Sequence, residues 1–369
     1  MLKQYKLRDY KFRLILWVLA LSILGLMVIG SAKQDVQLKQ LLGIIGGAGV
    51  MVIVSLIDYT WLLNFYWIWY VICLAMLGVV LIPGIGSNVN GATRWIDLGF
   101  TSFQPSDLAK IIIIVFFAKF FSKHEEDLNT LKVILGSLML LGIPLGLIVS
   151  EPDLSTTIAV MLVFCCMIFI AGLSYKIIGG ILVVAIPAAV IFLSIITQPG
   201  QTLLKDYQLN RILAWINPSQ YADTAYQQTN SVIAIGSGQL YGKGLNNNVI
   251  SSVKNGNFIS EPQTDFIFAV AGEELGFLGC CIIVVLELLI AYECIRIGKK
   301  ARDMSGTIIC CGVAALISVQ SFMNICVATN LMPNTGITLP FVSYGLTSLI
   351  SLYIGIGLVL NVGLQVRKY

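Results

Sequence analysis

Several charged side chains stand where polar segments give way to long apolar runs, and these residues are the best placed to do chemistry. Asp265 ends a polar segment and is followed at once by the apolar residues 266–271. Removing a carboxylate from water at such a boundary is costly, which favours a functional role for Asp265 over an incidental one. Partial burial also raises the pKa of an aspartate toward the range in which it accepts a proton. We therefore predict that Asp265 is a general base.

A second group of candidates lies in the stretch GATRWIDLG and in the helix start QPSDLAK that follows it. Pro105 suits the first turn of a helix, and Asp107 and Lys110 then lie on one face, one turn apart, where they can pair. The pair has two interpretations: a buried salt bridge that fixes helix packing, or a cation at the floor of a cavity that meets an anionic head group. The predicted substrate contacts of this group are Arg94, Trp95, Gln104 and Asp107, with Lys110 as a catalytic residue.

Two further positions could face the same cavity. Asp153 precedes Ser155 and Thr156, a pattern typical of a helix N-cap, so it is either a cap or a second carboxylate in the cavity. The long polar segment 198–265 contains four cations. We expect most of them to be solvated surface and predict a ligand-binding role for Arg211.

The remaining candidates lie in and near the last predicted helices. The stretch PNTGITLPFVSYG interrupts two apolar runs with prolines and a glycine, so Ser343, Tyr344 and exposed carbonyls either line the cavity or form a packing turn. Glu273 and Glu274 lie two turns into the helix that follows Asp265. We expect one of them to pair with a cation or to cap a broken helix.

The composition is that of a membrane protein. The chain is 57% hydrophobic and 11% charged, whereas a soluble domain is about 25% charged. Apolar runs of about 17–25 residues mark helical spans, and we predict ten, at 12–31, 40–57, 62–82, 105–122, 131–150, 154–172, 176–197, 266–294, 307–329 and 341–364. The predicted fold is an all-α polytopic membrane helical bundle, a single integral membrane domain over residues 1–369. One large extracellular loop, 198–265, joins the seventh and eighth helices.

Lysine and arginine residues indicate the orientation in the membrane. They are concentrated in the N-terminal segment, in residues 296–302 and in the C-terminal tail, which share one side if ten spans are right. By the positive-inside rule that side is the cytoplasm, so both termini are predicted to be cytoplasmic. The only histidine, His124, is then also inside, which leaves carboxylates as candidate bases on the outer side. The small net charge of +4 indicates no nucleic-acid surface.

Six motifs occur in order along the chain: GATRWIDLG, QPSDLAK, EPDLSTT, GSGQLYGKGL, EPQTDFIFAVAGEELG and PNTGITLPFVSYG. With the predicted spans and the large loop, they resemble the SEDS family of RodA, FtsW and SpoVE over nearly the whole chain. The resemblance implies a peptidoglycan glycosyltransferase that polymerises lipid II, an undecaprenyl-pyrophosphate-linked disaccharide peptide, on the outer face of the cytoplasmic membrane. It also implies a class B penicillin-binding protein as transpeptidase partner.

The same resemblance assigns roles to individual residues. Asp265 stands at the position of the family's essential aspartate, and Arg94, Lys110 and Asp153 fall on motif positions that line its central cavity. The family usually has Glu, Gln, Gly, Pro, His and Gly where this sequence has Asp107, Glu151, Ser155, Ser260, Gln263 and Leu346. The change at Leu346 has the largest expected consequence, because glycine there permits close helix contact.

These residues predict a mechanism. Asp265 takes the proton of the acceptor sugar hydroxyl, while Arg94, Lys110 and Arg211 hold the pyrophosphate of the donor. Without an enzyme nucleophile, the anomeric centre should invert. A divalent cation, Mg²⁺ or Mn²⁺, could assist as a Lewis acid, although no metal ligands are evident from the sequence.

Two other classes of function remain open: a lipid II flippase or transporter, and a non-catalytic scaffold for a class B penicillin-binding protein. Against transport, the ionisable groups cluster near the outer face rather than the midplane, and no inverted repeat is evident.

Overall fold

Long apolar helices make up most of the computed structural model, which describes residues 10–89, 92–97, 99, 102–196, 206–246, 252, 256 and 258–365. In order along the chain, the helices are α1 Phe12–Ala32, α2 Gln34–Leu56, α3 Tyr59–Asn64, α4 Tyr66–Val80, α5 Pro105–Lys123, α6 Leu131–Ser150, α7 Leu154–Ile170, α8 Tyr175–Ile196, α9 Asp206–Ile216, α10 Ala222–Ser237, α11 Ile267–Gly298, α12 Met304–Ala328 and α13 Leu346–Leu364. The strands are β1 Gly86–Val89, β2 Ala92–Asp97 and β3 Ser102–Phe103.

Six helices in the described part of the chain are long and apolar enough to cross a membrane: α1, α2, α6, α11, α12 and α13. Two more, α4 and α7, are apolar but shorter. The predicted polytopic helical bundle is therefore confirmed. The predicted count of ten needs α4, α5, α7 and α8 as further spans, and it stays a prediction.

The polar segment before α5 folds as a small antiparallel sheet in the order β1-β2-β3, which the all-α prediction did not anticipate. In its register, Ser87 lies opposite Trp95, and Ile96 opposite Phe103. The β-branched and aromatic residues of β2 suit a pleated surface. The sheet matters for the site because β2 carries Arg94 and Trp95, and β3 leads directly into α5.

Helix α5 lies in the interior of the bundle. Its residues from Ile111 to Ala118 are all buried, and it packs against α4, α7, α12 and α13. A helix that is apolar on all sides is buried on all sides. The charged residues in its first two turns, Asp107 and Lys110, are therefore enclosed by protein.

Helix α11 is broken at Gly276, whose φ of 67° and ψ of −166° lie outside the helical region. The turn that follows α10 fills this break. Phe277 N–H donates to the carbonyl of Gln239 at 2.8 Å, and Lys243 N–H donates to the carbonyl of Glu273 at 2.9 Å. Non-helical backbone at this depth is tolerated because neighbouring protein satisfies the freed polar groups.

The two glutamates before the break are both held by other segments. Glu273 forms an ion pair with Lys243 at 2.8 Å, and Glu274 accepts a hydrogen bond of 2.5 Å from the Ser31 hydroxyl at the end of α1. The prediction that one of them pairs with a cation or caps a broken helix is confirmed.

Leu346, which replaces a glycine usual in the family pattern, packs against Gly43 of α2. A Cβ at position 43 would overlap the end of the Leu346 side chain. Helices α2 and α13 are in extensive contact. The larger residue on α13 is therefore accommodated by a glycine on the facing helix.

The close approach of α10 and α11 can be tested at Gly238. A Cβ there would overlap the carbonyl oxygen of Gly272, whereas a Cβ at Gly236 meets no atom within 4 Å. We expect Gly238→Ala to destabilise the chain by about 1–3 kcal/mol, which lowers its thermal unfolding midpoint in detergent. The control Gly236→Ala should leave the midpoint unchanged or raise it, since alanine favours a helix. Equal midpoints would contradict the packing described here.

Candidate active site

Asp265 lies two residues before α11 and is anchored through its backbone. Its carbonyl accepts a hydrogen bond of 2.8 Å from the Asn324 side chain of α12, which also donates to the carbonyl of Ile337 at 2.7 Å. The carboxylate faces the turn at Gly336, where an added Cβ would lie 3.3 Å from Asp265 Oδ2. The side chain is therefore half-buried at the junction of the loop, α12 and the segment before α13.

Four charged side chains act on the Asp265 carboxyl. Burial of the Asp265 carboxyl raises its pKa. The guanidinium groups of Arg211 and Arg94 lower that pKa, and the carboxylates of Asp153 and Glu261 raise it. The net direction is upward, so burial outweighs the two cations. The predicted residues Arg94, Asp153, Arg211 and Asp265 thus form one electrostatic cluster, although they are far apart in the sequence.

Arg94 holds the turn between α6 and α7. Its Nε donates to the carbonyl of Glu151 at 3.3 Å, and its Nη2 donates to the carbonyl of Pro152. Its Nη1 lies 3.7 Å from Asp153 Oδ1. Part of the guanidinium is therefore occupied by structural bonds, while its positive charge still acts on the cluster.

Asp153 is the N-cap of α7, as one of its two interpretations predicted. Its carboxylate accepts from the backbone N–H of Thr156 at 3.1 Å and from the Thr156 hydroxyl at 2.9 Å. The same carboxylate also pairs with Arg94 and accepts from Gln104 Nε2 at 3.2 Å. Capping and membership of the cluster therefore coexist, and Gln104 connects the start of α5 to this point.

Lys110 and Asp107 form the predicted ion pair, with 2.8 Å between Lys110 Nζ and Asp107 Oδ1. Both side chains are buried in α5. Lys110 is not among the charged groups that perturb Asp265 in the described part of the chain. The structure thus shows the salt bridge, and a contact of Lys110 with the donor pyrophosphate stays a prediction.

Two predicted ligand contacts lie on the elements that flank the cluster. Arg211 on α9 donates from Nη1 to the carbonyl of Asn334 at 3.4 Å. Trp95 on β2 is half-buried, and its carbonyl accepts a hydrogen bond of 3.0 Å from the Ser87 hydroxyl. Arg211 therefore approaches the cluster over the turn that faces Asp265.

The predicted residues Ser343 and Tyr344 position Asp265 through the backbone. The Ser343 hydroxyl donates to the carbonyl of Thr264 at 2.6 Å and accepts from the backbone N–H of Leu339 at 2.8 Å. Tyr344 N–H donates to the carbonyl of Gln263 at 2.9 Å. These bonds join the segment before α13 to the residues just before Asp265. A direct contact of either side chain with substrate stays a prediction.

The turn at residues 334–336 contributes more to the site than the sequence indicated. Asn334 Oδ1 and Thr335 Oγ1 are buried without a hydrogen-bond partner in the described part of the chain. The carbonyls of the same two residues accept from Arg211 and Ser155. Buried polar atoms without partners are costly unless a ligand or water satisfies them. The signal was present in the motif, where Pro333 and Gly336 bracket these two residues.

Glu151 is the most enclosed acidic residue near the cluster. It is fully buried, and neither carboxylate oxygen has a hydrogen-bond partner among the described residues. Burial raises its pKa to about 8, with a further increase from Asp153 and a decrease from Arg94. Glu151 is therefore largely protonated at neutral pH. In that state it is uncharged, like the glutamine usual at this position of the family pattern.

These features define the class of protein: a multi-pass membrane protein with a cluster of carboxylates and guanidinium groups at one end of a helical bundle. The model of the cell cycle protein family FTSW_RODA_SPOVE matches residues 11–368. The chain belongs to this family.

Individual relatives agree with this assignment. The probable peptidoglycan glycosyltransferase FtsW of Taylorella equigenitalis is 34% identical over 81% of this chain and 79% of the relative. Stage V sporulation protein E of Bacillus subtilis is 36% identical over 80% of each chain. Among solved structures, a chain of a peptidoglycan synthase complex that coordinates polymerization and crosslinking superposes with a TM-score of 0.79 at 26% identity. That match covers 96% of this chain and 97% of the other.

The enclosed Glu151 makes stability depend on pH. The Glu151 carboxyl has its ordinary pKa of 4.5 in the unfolded chain and a pKa of about 8 in the folded chain. The free energy of unfolding therefore falls progressively as the pH rises from about 4.5 to about 8. The cost is complete above about pH 8, and we expect Glu151→Gln to remove it. As the pH is raised from about 4.5 to about 8, the free energy of unfolding of the variant should increase, relative to that of the unmodified chain, by on the order of 4 kcal/mol.

The measurement is the thermal unfolding midpoint of both proteins across this pH range. Glu126→Gln is the matched control, because Glu126 is exposed on the loop between α5 and α6. If the midpoints of the unmodified chain and of Glu151→Gln changed equally with pH, Glu151 would not hold a proton in the folded chain.

Proposed function

We propose that this chain is a peptidoglycan glycosyltransferase that polymerises lipid II into glycan strands at the outer face of the cytoplasmic membrane. Support comes from its family and from relatives that are named as peptidoglycan glycosyltransferases. The structural observation that carries the proposal is the half-buried Asp265 among Arg94, Arg211 and Asp153. A raised pKa gives the carboxyl affinity for a proton, and the cations suit a diphosphate.

The proposed orientation follows from the two ends of α11. Asp265 precedes one end, and Arg296, Lys299 and Lys300 lie at the other. By the positive-inside rule, the basic end faces the cytoplasm and the Asp265 cluster faces outward. Both termini are then cytoplasmic, and lipid II reaches the cluster from the outer leaflet.

In the proposed reaction, the hydroxyl oxygen of the acceptor sugar attacks the anomeric carbon of the donor. The bond from that carbon to the diphosphate breaks, and its electron pair leaves with the diphosphate oxygen. Asp265 accepts the hydroxyl proton. Since no enzyme nucleophile takes part, the anomeric configuration inverts.

The charge that develops on the leaving diphosphate requires nearby cations. Arg211 and Arg94 are the guanidinium groups that act on Asp265, and their positive charge is effective because the site is partly closed to water. Arg94 also fixes the turn that carries Asp153, so it contributes both charge and positioning. The unpartnered polar atoms of Asn334 and Thr335 are proposed to meet substrate.

A divalent cation, Mg²⁺ or Mn²⁺, would supply Lewis-acid chemistry to the diphosphate. Among the described residues, no group of three His, Cys, Asp or Glu side chains could hold a metal ion. A cation would therefore depend mainly on the phosphate oxygens of the substrate, as is usual for Mg²⁺. The proposed proton transfer uses Asp265 alone.

We further propose a class B penicillin-binding protein as partner. The similar solved chain belongs to a peptidoglycan synthase complex in which polymerization and crosslinking are coordinated. A polymerase that exposes new glycan at the membrane surface needs a transpeptidase close by to crosslink it.

The base assignment is tested with Asp265→Asn, which preserves shape and removes the proton acceptor. We expect purified variant supplied with lipid II to make no polymer, with a thermal unfolding midpoint close to that of the unmodified chain. Asp223→Asn, an exposed position on α10, is the matched control and should polymerise normally. Normal polymer from Asp265→Asn would exclude Asp265 as the base.

Translocation of fluorescent lipid II without polymer by the unmodified chain would favour a flippase.

The role of Lys110 is tested with three variants of α5. We expect Lys110→Met to abolish polymerisation, while Lys119→Met on the same helix should not. Because Lys110→Met leaves Asp107 buried without its cation, the double variant Asp107→Asn/Lys110→Met removes both charges together. If Lys110 contacts the pyrophosphate, the double variant stays inactive while its folding recovers. If the double variant forms polymer again, the Asp107–Lys110 ion pair serves only helix packing.

A further inference from the structure

A cavity of about 320 Å³ opens at the end of the bundle opposite Asp265, where α1 begins and α11 ends. Four of its lining side chains are cations: Lys11, Arg13, Arg296 and Lys300. Arg296 follows the break at Gly276 by 20 residues of continuous helix, which corresponds to roughly 30 Å, and Asp265 lies beyond that break. The cavity is therefore separate from the candidate active site.

The positive charge of the cavity is only partly compensated. Glu293 is its one acidic lining residue, and it pairs with Arg296 at 3.0 Å. Lys11, Arg13 and Lys300 have no carboxylate within ion-pair distance in the described part of the chain. Cations that share a concave surface raise the local concentration of anions.

Contacts with neighbouring helices hold the walls of this cavity in place. The Tyr10 hydroxyl is hydrogen-bonded to Ser55 of α2 at 2.6 Å. The stem of Lys11 packs on Gly363 of α13, where an added Cβ would lie 3.1 Å from Lys11 Cγ. The Tyr10 and Phe12 rings are 5.5 Å apart, and Phe12 is 61% exposed. The site thus combines a packed Lys11 and the exposed cations Arg13 and Lys300 with exposed apolar surface, which matches an amphiphile.

The positive-inside rule alone would also place lysine and arginine at this end of the bundle. It does not require them to converge on one cavity. Lys299 and Arg302 lie at the same end, are exposed and do not line the cavity. They provide a comparison in which the surface charge is the same and the cavity is left intact.

We propose that this cavity binds the phosphate head group of an anionic phospholipid. Lys11, Arg13 and Lys300 neutralise the phosphate, and Phe12 and Tyr10 contact the glycerol and the start of the acyl chains. Basic pockets between membrane helices suit such head groups. The inference requires only that this end of the bundle lies at a membrane surface, so it does not depend on the proposed glycosyltransferase reaction.

The experiment uses the full chain in phosphatidylcholine nanodiscs that contain a minor fraction of phosphatidylglycerol. After extraction, native mass spectrometry measures which lipid stays bound. We expect the unmodified chain to retain phosphatidylglycerol in preference to phosphatidylcholine. Arg13→Gln/Lys300→Gln should weaken this retention about tenfold or more, while the control Lys299→Gln/Arg302→Gln should not. The charge-preserving variant Arg13→Lys/Lys300→Arg should keep it.

Three results would overturn the proposal. One is a lack of preference for phosphatidylglycerol in the unmodified chain, which decides the question even if a variant fails to fold. Another is an equal loss in the two glutamine variants, which would indicate diffuse surface charge. The third is thermal stabilisation of the unmodified chain by inorganic phosphate without anionic lipid, lost in Arg13→Gln/Lys300→Gln, since the occupant would then be a soluble phosphate.

Discussion

A carboxylate that leaves water must find positive charge or keep its proton, and this constraint governs the site end of the bundle. Asp265 lies among Arg94 and Arg211, while Glu151 has no bonded partner among the described residues and holds its proton to about pH 8. Asp107, deeper in α5, is compensated by Lys110. These three acids are thus balanced differently, and of the three only Asp265 is both half-buried and close to cations without a direct ion pair to one within the described part of the chain.

Side chains that bind backbone carbonyls help to hold the cluster in place. Asn324 binds the carbonyl of Asp265, and Ser343 binds the carbonyl of Thr264 just before it. Arg94 binds two carbonyls of the turn that leads to Asp153. With its backbone anchored, the Asp265 side chain need not be used for structure. This leaves the carboxylate available for a proton.

The break in α11 shows how a polar loop is built into an apolar bundle. The turn after α10 replaces the helical hydrogen bonds lost at Gly276. Its closeness explains glycine at position 238, where any side chain would overlap the carbonyl of Gly272. The long loop is therefore part of the bundle and not a cover laid over it, and it brings α9 with Arg211 to the cluster.

Apolar run length and charge spacing determined much of this protein. They predicted the helical membrane bundle, the pairing of Asp107 with Lys110, and the position of Asp265 at the start of an apolar helix. These features depend on local periodicity and on the cost of desolvating a charge. Tertiary structure alone decided that Ser343 positions the backbone, that the carbonyl of Asn334 accepts from Arg211, and that Leu346 fits against Gly43. Those outcomes depend on which segments meet in space, and residues distant in sequence show no local pattern that records their contact.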